Sequence, residues 1–205
     1  MIVSAMQPYF YPYMNYFKLI EKSNFFVILD DVQFPRRGWV HRNKLRNKHD
    51  RSLSDWITLP LIKKSQNTPI KELKFDKNKI KSFINKSQKF EFFEKKIDLY
   101  PQIKKNIYNF NLCPLNYLVN HIKIACNILQ IKTKIKLSSE LKISKTLGYQ
   151  ERMIKIVEHF KGDTYLNLPG GKKLYDKKLF KENGINLIFL DMQYDEKPSF
   201  LDFIK

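Results

Sequence analysis

The chain has 205 residues, 43% of them hydrophobic and 14% aromatic, with only six glycines, which supplies a full globular core and excludes a disordered polymer. No apolar run approaches the roughly 18–20 residues needed to cross a bilayer. The opening MIVSAMQPYF lacks the basic and long apolar regions of a secretion signal, so the expectation is a cytoplasmic protein. The formal charge of +18 comes from 38 basic against 20 acidic residues, but only six of the 38 are arginines. Lysine shares AT-rich codons with the Ile, Asn, Phe and Tyr that fill this chain, so base composition explains much of the charge. Five of the six arginines lie at 36, 37, 42, 46 and 51. Guanidinium forks grip phosphate and carboxylate bidentately, so this cluster points to an anionic ligand more sharply than the total charge does.

Ile2–Met6 reads as a buried first strand, and Pro8 and Pro12 shape the loop after it. Tyr13, Tyr16, Phe17 and Ile20 recur at helical spacing, which predicts a helix over 13–22. Phe25–Leu29 is apolar on both faces and ends in Asp30-Asp31, as a central strand of a covered parallel sheet would. Strand, helix and strand within about thirty residues make a βαβ unit. The stretch 36–48 is polar, 56–62 (WITLPLI) reads as a strand kinked or placed at an edge by Pro60, 63–68 as a polar loop and 68–75 as extended. Helical spacing covers 78–100 and 113–129, so 78–129 is expected to be a helical insert or lid on a single α/β domain spanning 1–205. Beyond it the pattern predicts a strand at 132–137, a helix at 149–160 after Gly148, a strand at 164–168, a helix at 173–183 stopped by Gly184 and a last strand at 186–190. Cys113 and Cys126 are too few for a scaffold of disulfides or a cysteine zinc site and read as inert buried thiols.

Four constellations could carry chemistry. Asp30 and Asp31 close a buried strand, and open α/β sheets bind ligands at the carboxyl ends of their strands. Either acid could hold a sugar hydroxyl or act as a general base, Asp31 being the stronger candidate; the bland reading pairs one of them with Arg36 or Arg37. In the second, Arg36, Arg37, Trp39, Arg42 and Asn43 combine cations, an indole and an amide that can grip a nucleotide or sugar phosphate, and His41 could transfer a proton near neutral pH. The bland reading there is a solvated basic loop anchored by Trp39. In the third, Gly170, Gly171 and Lys172 follow a strand and precede a helix, where backbone N–H groups can meet an anion or simply form a tight turn. In the fourth, Ser139 and Glu140 end another strand and could ligate or merely cap. Gln7, Tyr9, Tyr11 and Gln33 complete the candidate substrate contacts. His49, His121 and His159 show no metal spacing, and no motif names a cofactor.

The stretches QPYFYPYMNYF, LDDVQFPRRGWVHRN, SSEL and DTYLNLPGGKKLY followed by FKENGINLIF resemble, in that order, the WbqC-like family of bacterial proteins. The resemblance spans nearly the whole chain. The family pattern usually has glycine where Asn15 stands and often Asn or Gln where His41 stands, which weighs against proton transfer by His41. Its members commonly run on past the last strand, whereas this chain stops at Phe203-Ile204-Lys205, so the expectation from the resemblance is that a C-terminal element is missing. The resemblance implies a role in O-antigen and other surface-polysaccharide biosynthesis. A fold-level likeness to the opening of Rossmann-like nucleotidylyltransferases adds a Rossmann-like, mostly parallel sheet with flanking helices, although their histidine motif is missing here.

The expectation is therefore a transferase that moves an acyl or aminoacyl group onto a nucleotide-linked or phosphorylated amino sugar, using an activated acyl or aminoacyl donor. Arg36, Arg37 and Arg42 would neutralise phosphates, Tyr9, Tyr11 and Trp39 would stack on a base or sugar, and Asp31 would be the base. Two rivals stand beside it: a nucleic-acid-binding protein using its basic surface, and a catalytically silent scaffold that holds a sugar nucleotide.

Overall fold

Ile2–Met6 and Phe25–Ile28 are apolar at nearly every position, and runs of that kind are stable only where both faces of a sheet are covered. In the computed structural model they lie side by side. It describes residues 1–50, 52–63, 65, 67–191 and 199–204. Arg51 of the arginine cluster, residues 64 and 66 of the expected loop and the terminal Lys205 lie outside the described residues. In chain order the elements are β1 (Ile2–Met6), α1 (Met14–Glu21), β2 (Phe25–Ile28), β3 (Arg42–Arg46), β4 (Ser54–Thr58), α2 (Ile80–Ser87), α3 (Pro101–Ile107), α4 (Pro114–Ile128), β5 (Lys134–Leu137), α5 (Tyr149–His159), β6 (Thr164–Asn167), α6 (Lys177–Glu182), β7 (Asn186–Phe189) and α7 (Phe200–Phe203), joined by short 3-10 and π turns. They fall into two compact units. One is drawn from Met1–Gln7, Asn15–Asp31 and Ile131–Asp195, the other from Pro8–Met14, Val32–Gln130 and Glu196–Lys205.

The first unit is a five-stranded parallel sheet in the order β5-β2-β1-β6-β7, with Val3 beside Phe25, Phe26 beside Ile135 and Tyr165 beside Leu187. Helix α1 buries Tyr16, Phe17, Leu19 and Ile20, and the Tyr16 ring meets Phe26 edge-on at 5.4 Å. Met153, Ile154, Ile156 and Val157 are the buried apolar residues of α5, and Phe180 of α6 stacks on Tyr165 at 5.6 Å. Each such fully buried side chain contributes about 1.5–3 kcal/mol. Parallel strands with helices between them are the expected α/β, Rossmann-like fold. The sheet also sets the site, because Asp30, Ser138 and Leu168 follow the carboxyl ends of β2, β5 and β6.

The second unit carries the antiparallel pair β3–β4, with Arg42 opposite Thr58, Lys44 opposite Trp56 and Arg46 opposite Ser54. A strand at 42–46 is the main departure from expectation. Asn43 and Leu45 are buried there while their neighbours are half-exposed, an alternation that the many charges hide. β4 runs over 54–58 and stops before Pro60, which cannot donate to a ladder. The stretch expected to be extended at 68–75 holds a 3-10 turn at Ile70–Glu72. The helical spacing of 78–100 is broken into α2, a π turn at Phe92–Lys96 and a 3-10 turn, and α3 begins anew with Pro101 at its first position, where the missing N–H costs nothing. Phe75, Phe83, Phe110 and Tyr117 form an aromatic core, with Phe75–Tyr117 at 5.2 Å and Phe83–Phe110 at 5.5 Å. Among the described residues no helix is long and apolar enough to cross a membrane.

Candidate functional site

In the first unit the acids at the end of β2 meet the serines that follow β5. Asp30 is fully buried; its carboxylate accepts from the Ser139 N–H at 2.9 Å and from the Ser139 hydroxyl at 2.7 Å. Ser138 Oγ lies 2.5 Å from Asp31 Oδ1 and 3.0 Å from Asp30 Oδ1, so its single proton serves the nearer Asp31. Asp31 also takes both of its oxygens to one nitrogen of Arg152, at 2.6 and 2.8 Å. Burial pulls the Asp31 carboxyl upward, but the Ser138 hydroxyl and the Arg152 guanidinium outweigh it and hold it below the usual carboxylate range. Asp31 is thus an ionised, doubly held acid and a weak base. Its partner is Arg152 on α5, not the Arg36 or Arg37 that the sequence offered. Glu140 is exposed and caps its own turn through the Leu137 N–H at 3.4 Å.

The second unit holds the remaining candidates. Tyr11 is buried and left-handed at φ 42°, a costly conformation for a bulky residue. Several bonds fix it there. The Asn43 amide donates to the carbonyls of Phe10, at 3.1 Å, and of Tyr11; the Ser199 hydroxyl donates to the Tyr11 carbonyl at 2.8 Å; and Phe10 N–H donates to the Trp39 carbonyl at 2.9 Å. Asn43 therefore uses its donors inside the chain and shapes the loop. Tyr9, Tyr13, Trp39 and Trp56 form a row of neighbouring rings 6.5, 6.2 and 5.5 Å apart. Arg36 and Arg37 occupy the tip of a turn closed by the Gly38 N–H and the Pro35 carbonyl at 3.1 Å, and both are exposed without a carboxylate partner among the described residues. Gly38 is required there, since a Cβ would sit 2.6 Å from the Pro35 ring. Arg42 instead donates to the Arg37 carbonyl at 2.7 Å and lies 4.3 Å over Trp56. Burial, with the Arg42 charge beside it, pushes His41 down to about 4, out of the near-neutral range expected of it. Gln33 is exposed on a strand bridge to Pro69.

Back in the first unit, the Gln7 carbonyl receives the Tyr16 hydroxyl at 3.0 Å. Pro169–Leu174 winds as a 3-10 turn rather than opening α6, whose cap is Asp176, and the Gly171 N–H donates to the Leu168 carbonyl at 3.0 Å. That amide is not offered to an anion. A Cβ at Gly171 would meet Asn167 at 2.9 Å and Tyr175 at 3.1 Å, so this glycine answers to packing, whereas Gly170 faces open space and Lys172 is exposed. No cluster of metal-binding side chains occurs among the described residues.

A family model described as the WbqC-like protein family matches residues 7–203. The chain belongs to that family. It is 26% identical over 196 residues to the uncharacterized protein Rv1507c of Mycobacterium tuberculosis, a match covering 92% of this chain and 81% of that protein. No solved structure matches it significantly. WbqC-like membership suggests involvement in polysaccharide biosynthesis.

Three residues of this WbqC-like protein matter to the geometry and escaped the sequence. Arg152 stands apart from the arginine cluster, Ser199 follows the last strand, and His121 lies on α4. His121 is fully buried, bonded to the Tyr117 carbonyl at 2.7 Å and to Asn106, with its Nε2 unpartnered; burial pushes it down to about 3. A signal existed only for Arg152, an arginine in the middle of an apolar helix face. The cysteines differ from each other: Cys126 is buried, which pushes its thiol up to about 12, while Cys113 is exposed rather than buried as expected.

Proposed function

We propose that this WbqC-like protein is a transferase of surface-polysaccharide biosynthesis that modifies a nucleotide-activated or phosphorylated amino sugar by acyl or aminoacyl transfer. Family membership supports the pathway class. The observation that carries the chemistry is the half-exposed Ser139 hydroxyl donating to the buried Asp30 carboxylate at the carboxyl edge of a parallel sheet, where such folds bind ligands. An amine or hydroxyl that displaces Ser139 meets a fixed acceptor. Asp30 thus takes the base role first assigned to Asp31, which is committed to Arg152. The step forms a bond between the amino nitrogen and the acyl carbon and breaks the bond from that carbon to the donor's leaving group. The amine's departing proton passes to Asp30 and on to the leaving group. Within the second unit, Arg36 and Arg37 are proposed phosphate contacts, and Tyr9 and Trp39 ring contacts.

A thermal-shift screen of nucleotides, sugar nucleotides and activated acyl donors tests the reading. A ligand at a hundred times its Kd stabilises the fold by about 2.7 kcal/mol, and Arg37→Ala should shrink that shift for phosphorylated ligands. No shift with any sugar nucleotide at about millimolar concentration overturns it. With a ligand in hand, Asp30→Asn should keep binding and lose about 10²–10⁴-fold in turnover. Retained ligand binding with normal polysaccharide flux in cells carrying that variant would instead favour a silent scaffold.

A further inference from the structure

Within the second unit, residues 199–204 close on the aromatic motif near the start of the chain. The Ser199 hydroxyl donates to the Tyr11 carbonyl at 2.8 Å, the Phe200 N–H donates to the Pro12 carbonyl at 2.9 Å, and Ser199 forms an antiparallel bridge with Tyr13. The same segment buries Phe200 and Leu201, and its Ile204 carbonyl accepts from Lys96 Nζ at 2.8 Å. The loop beneath it is costly by itself. Tyr11 is left-handed at φ 42°, and its buried hydroxyl has no hydrogen-bond partner among the described residues. A bulky residue keeps such a conformation only while its surroundings over-determine it. The Asn43 amide supplies part of that constraint and Ser199 another part. Tyr9 and Tyr13, two positions either side of Tyr11, stand in the ring row that leads to Trp39 and Trp56.

At its other end the segment is tied to β3 by a half-buried acid, Asp202, which accepts the Arg46 N–H. Burial and the nearby Glu91 oppose its charge, while Arg46 of β3 and Lys96 of the π turn favour it. We infer that residues 199–204 are a strap that holds the Tyr9–Tyr13 loop in its strained form, and that ionisation of Asp202 loosens it. An ionised Asp202 lies beside Glu91 where water is scarce, and it reaches water when α7 lifts from β3. Lifting α7 withdraws the Ser199 hydroxyl and the Phe200 N–H, and Tyr11 then relaxes toward ordinary backbone angles. Tyr9 and Tyr13 move with it, so the strap decides whether the ring row stays assembled. Neither the acid cluster nor a bound ligand enters, so a failure of the transferase reading leaves the strap untouched.

Hydrogen exchange of the full chain, followed amide by amide between about pH 5 and 7.5 where it reports the opening equilibrium, tests the strap. With intrinsic rates divided out, opening at the Arg46 and Phe200 amides should rise about tenfold over that range. The rise follows because Asp202 ionises near 6 in the closed form and near 4 once lifted into water. The Phe10 amide, bonded to the Trp39 carbonyl, should follow them, whereas the Leu59 amide, bonded to the His41 carbonyl, should not. In Asp202→Asn the dependence on pH should disappear. In Ser199→Ala, opening at Phe10 should increase about fivefold at both pH values, while the rise at Arg46 persists. Each variant is first shown to melt cooperatively. Opening at Arg46 that ignores pH in the wild type, or a rise that survives in Asp202→Asn, would overturn the role of Asp202. A Phe10 amide that stays protected while Arg46 and Phe200 open, or that is unchanged in Ser199→Ala, would overturn the strap itself. So would a Leu59 amide that opens with the rest, since the whole unit would then be unfolding.

Discussion

Asp31 and Arg152 are 121 positions apart, yet each decides what the other can do. Both are more than nine-tenths buried, so removing one leaves an uncompensated charge in a poorly solvated place. Breaking a buried pair in this way costs about 3–5 kcal/mol. Arg152→Met should therefore lower the unfolding free energy by that amount in urea titrations at neutral pH, and adding Asp31→Asn should recover much of it. The pH dependence has a definite sign. The folded-state value of Asp31 is depressed, so the pair's contribution is present above about pH 4, the unfolded value, and is lost as pH falls through the lower folded value. The gap between wild type and Arg152→Met should close on acidification. An unchanged stability for Arg152→Met would show that water reaches the pair.

At the scale of elements, the short helix α7 is tied to β3. The Asp202 carboxylate accepts the Arg46 backbone N–H at 3.3 Å from each oxygen. Burial raises Asp202 to about 6, with Glu91 pushing the same way, against the Arg46 N–H and charge and the Lys96 charge. Here the sign is reversed. The folded protein keeps the proton that the unfolded chain loses near pH 4, so stability falls as pH rises from about 4 to about 6. Asp202→Asn should raise the melting temperature at pH 7.5, by the equivalent of about 1–2 kcal/mol, and change it little at pH 4. An equal effect at both values would refute the assignment. The same scale shows why β3 was illegible: its two inward positions are one leucine and one asparagine, and the asparagine is buried only because the strained Tyr11 turn needs its donors. Asn43 was visible as a notable amide. Its use as a clamp was not, since the carbonyls it holds lie 32 and 33 positions away.

For the whole molecule, a charge of +18 is spread over a chain whose described ion pairs are nearly all at the surface, the Asp31–Arg152 pair apart. Self-repulsion on that scale destabilises the compact state, and salt screens it within about 10 Å at 0.1 M. The melting temperature should rise between about 0.05 and 0.5 M sodium chloride, as differential scanning calorimetry would show. A flat or falling profile would mean that the lysines are already compensated by local pairs.

Hydrophobic periodicity alone determined the βαβ opening, the covered parallel sheet and the helices α1, α4 and α5, because burial on one face or both writes a period into the chain. The opening motifs also carried the WbqC-like likeness. Charge and chemistry were legible only as residue types. The tertiary structure alone decided that Asp31 answers to Arg152 and Ser138, that Asp30 is the acid with a half-exposed hydroxyl on it, that His41 is neutral, and that Arg42 belongs with Trp56. Each of these depends on which side chains approach across long stretches of chain, and on how far water is excluded around them. Neither quantity has a period in sequence.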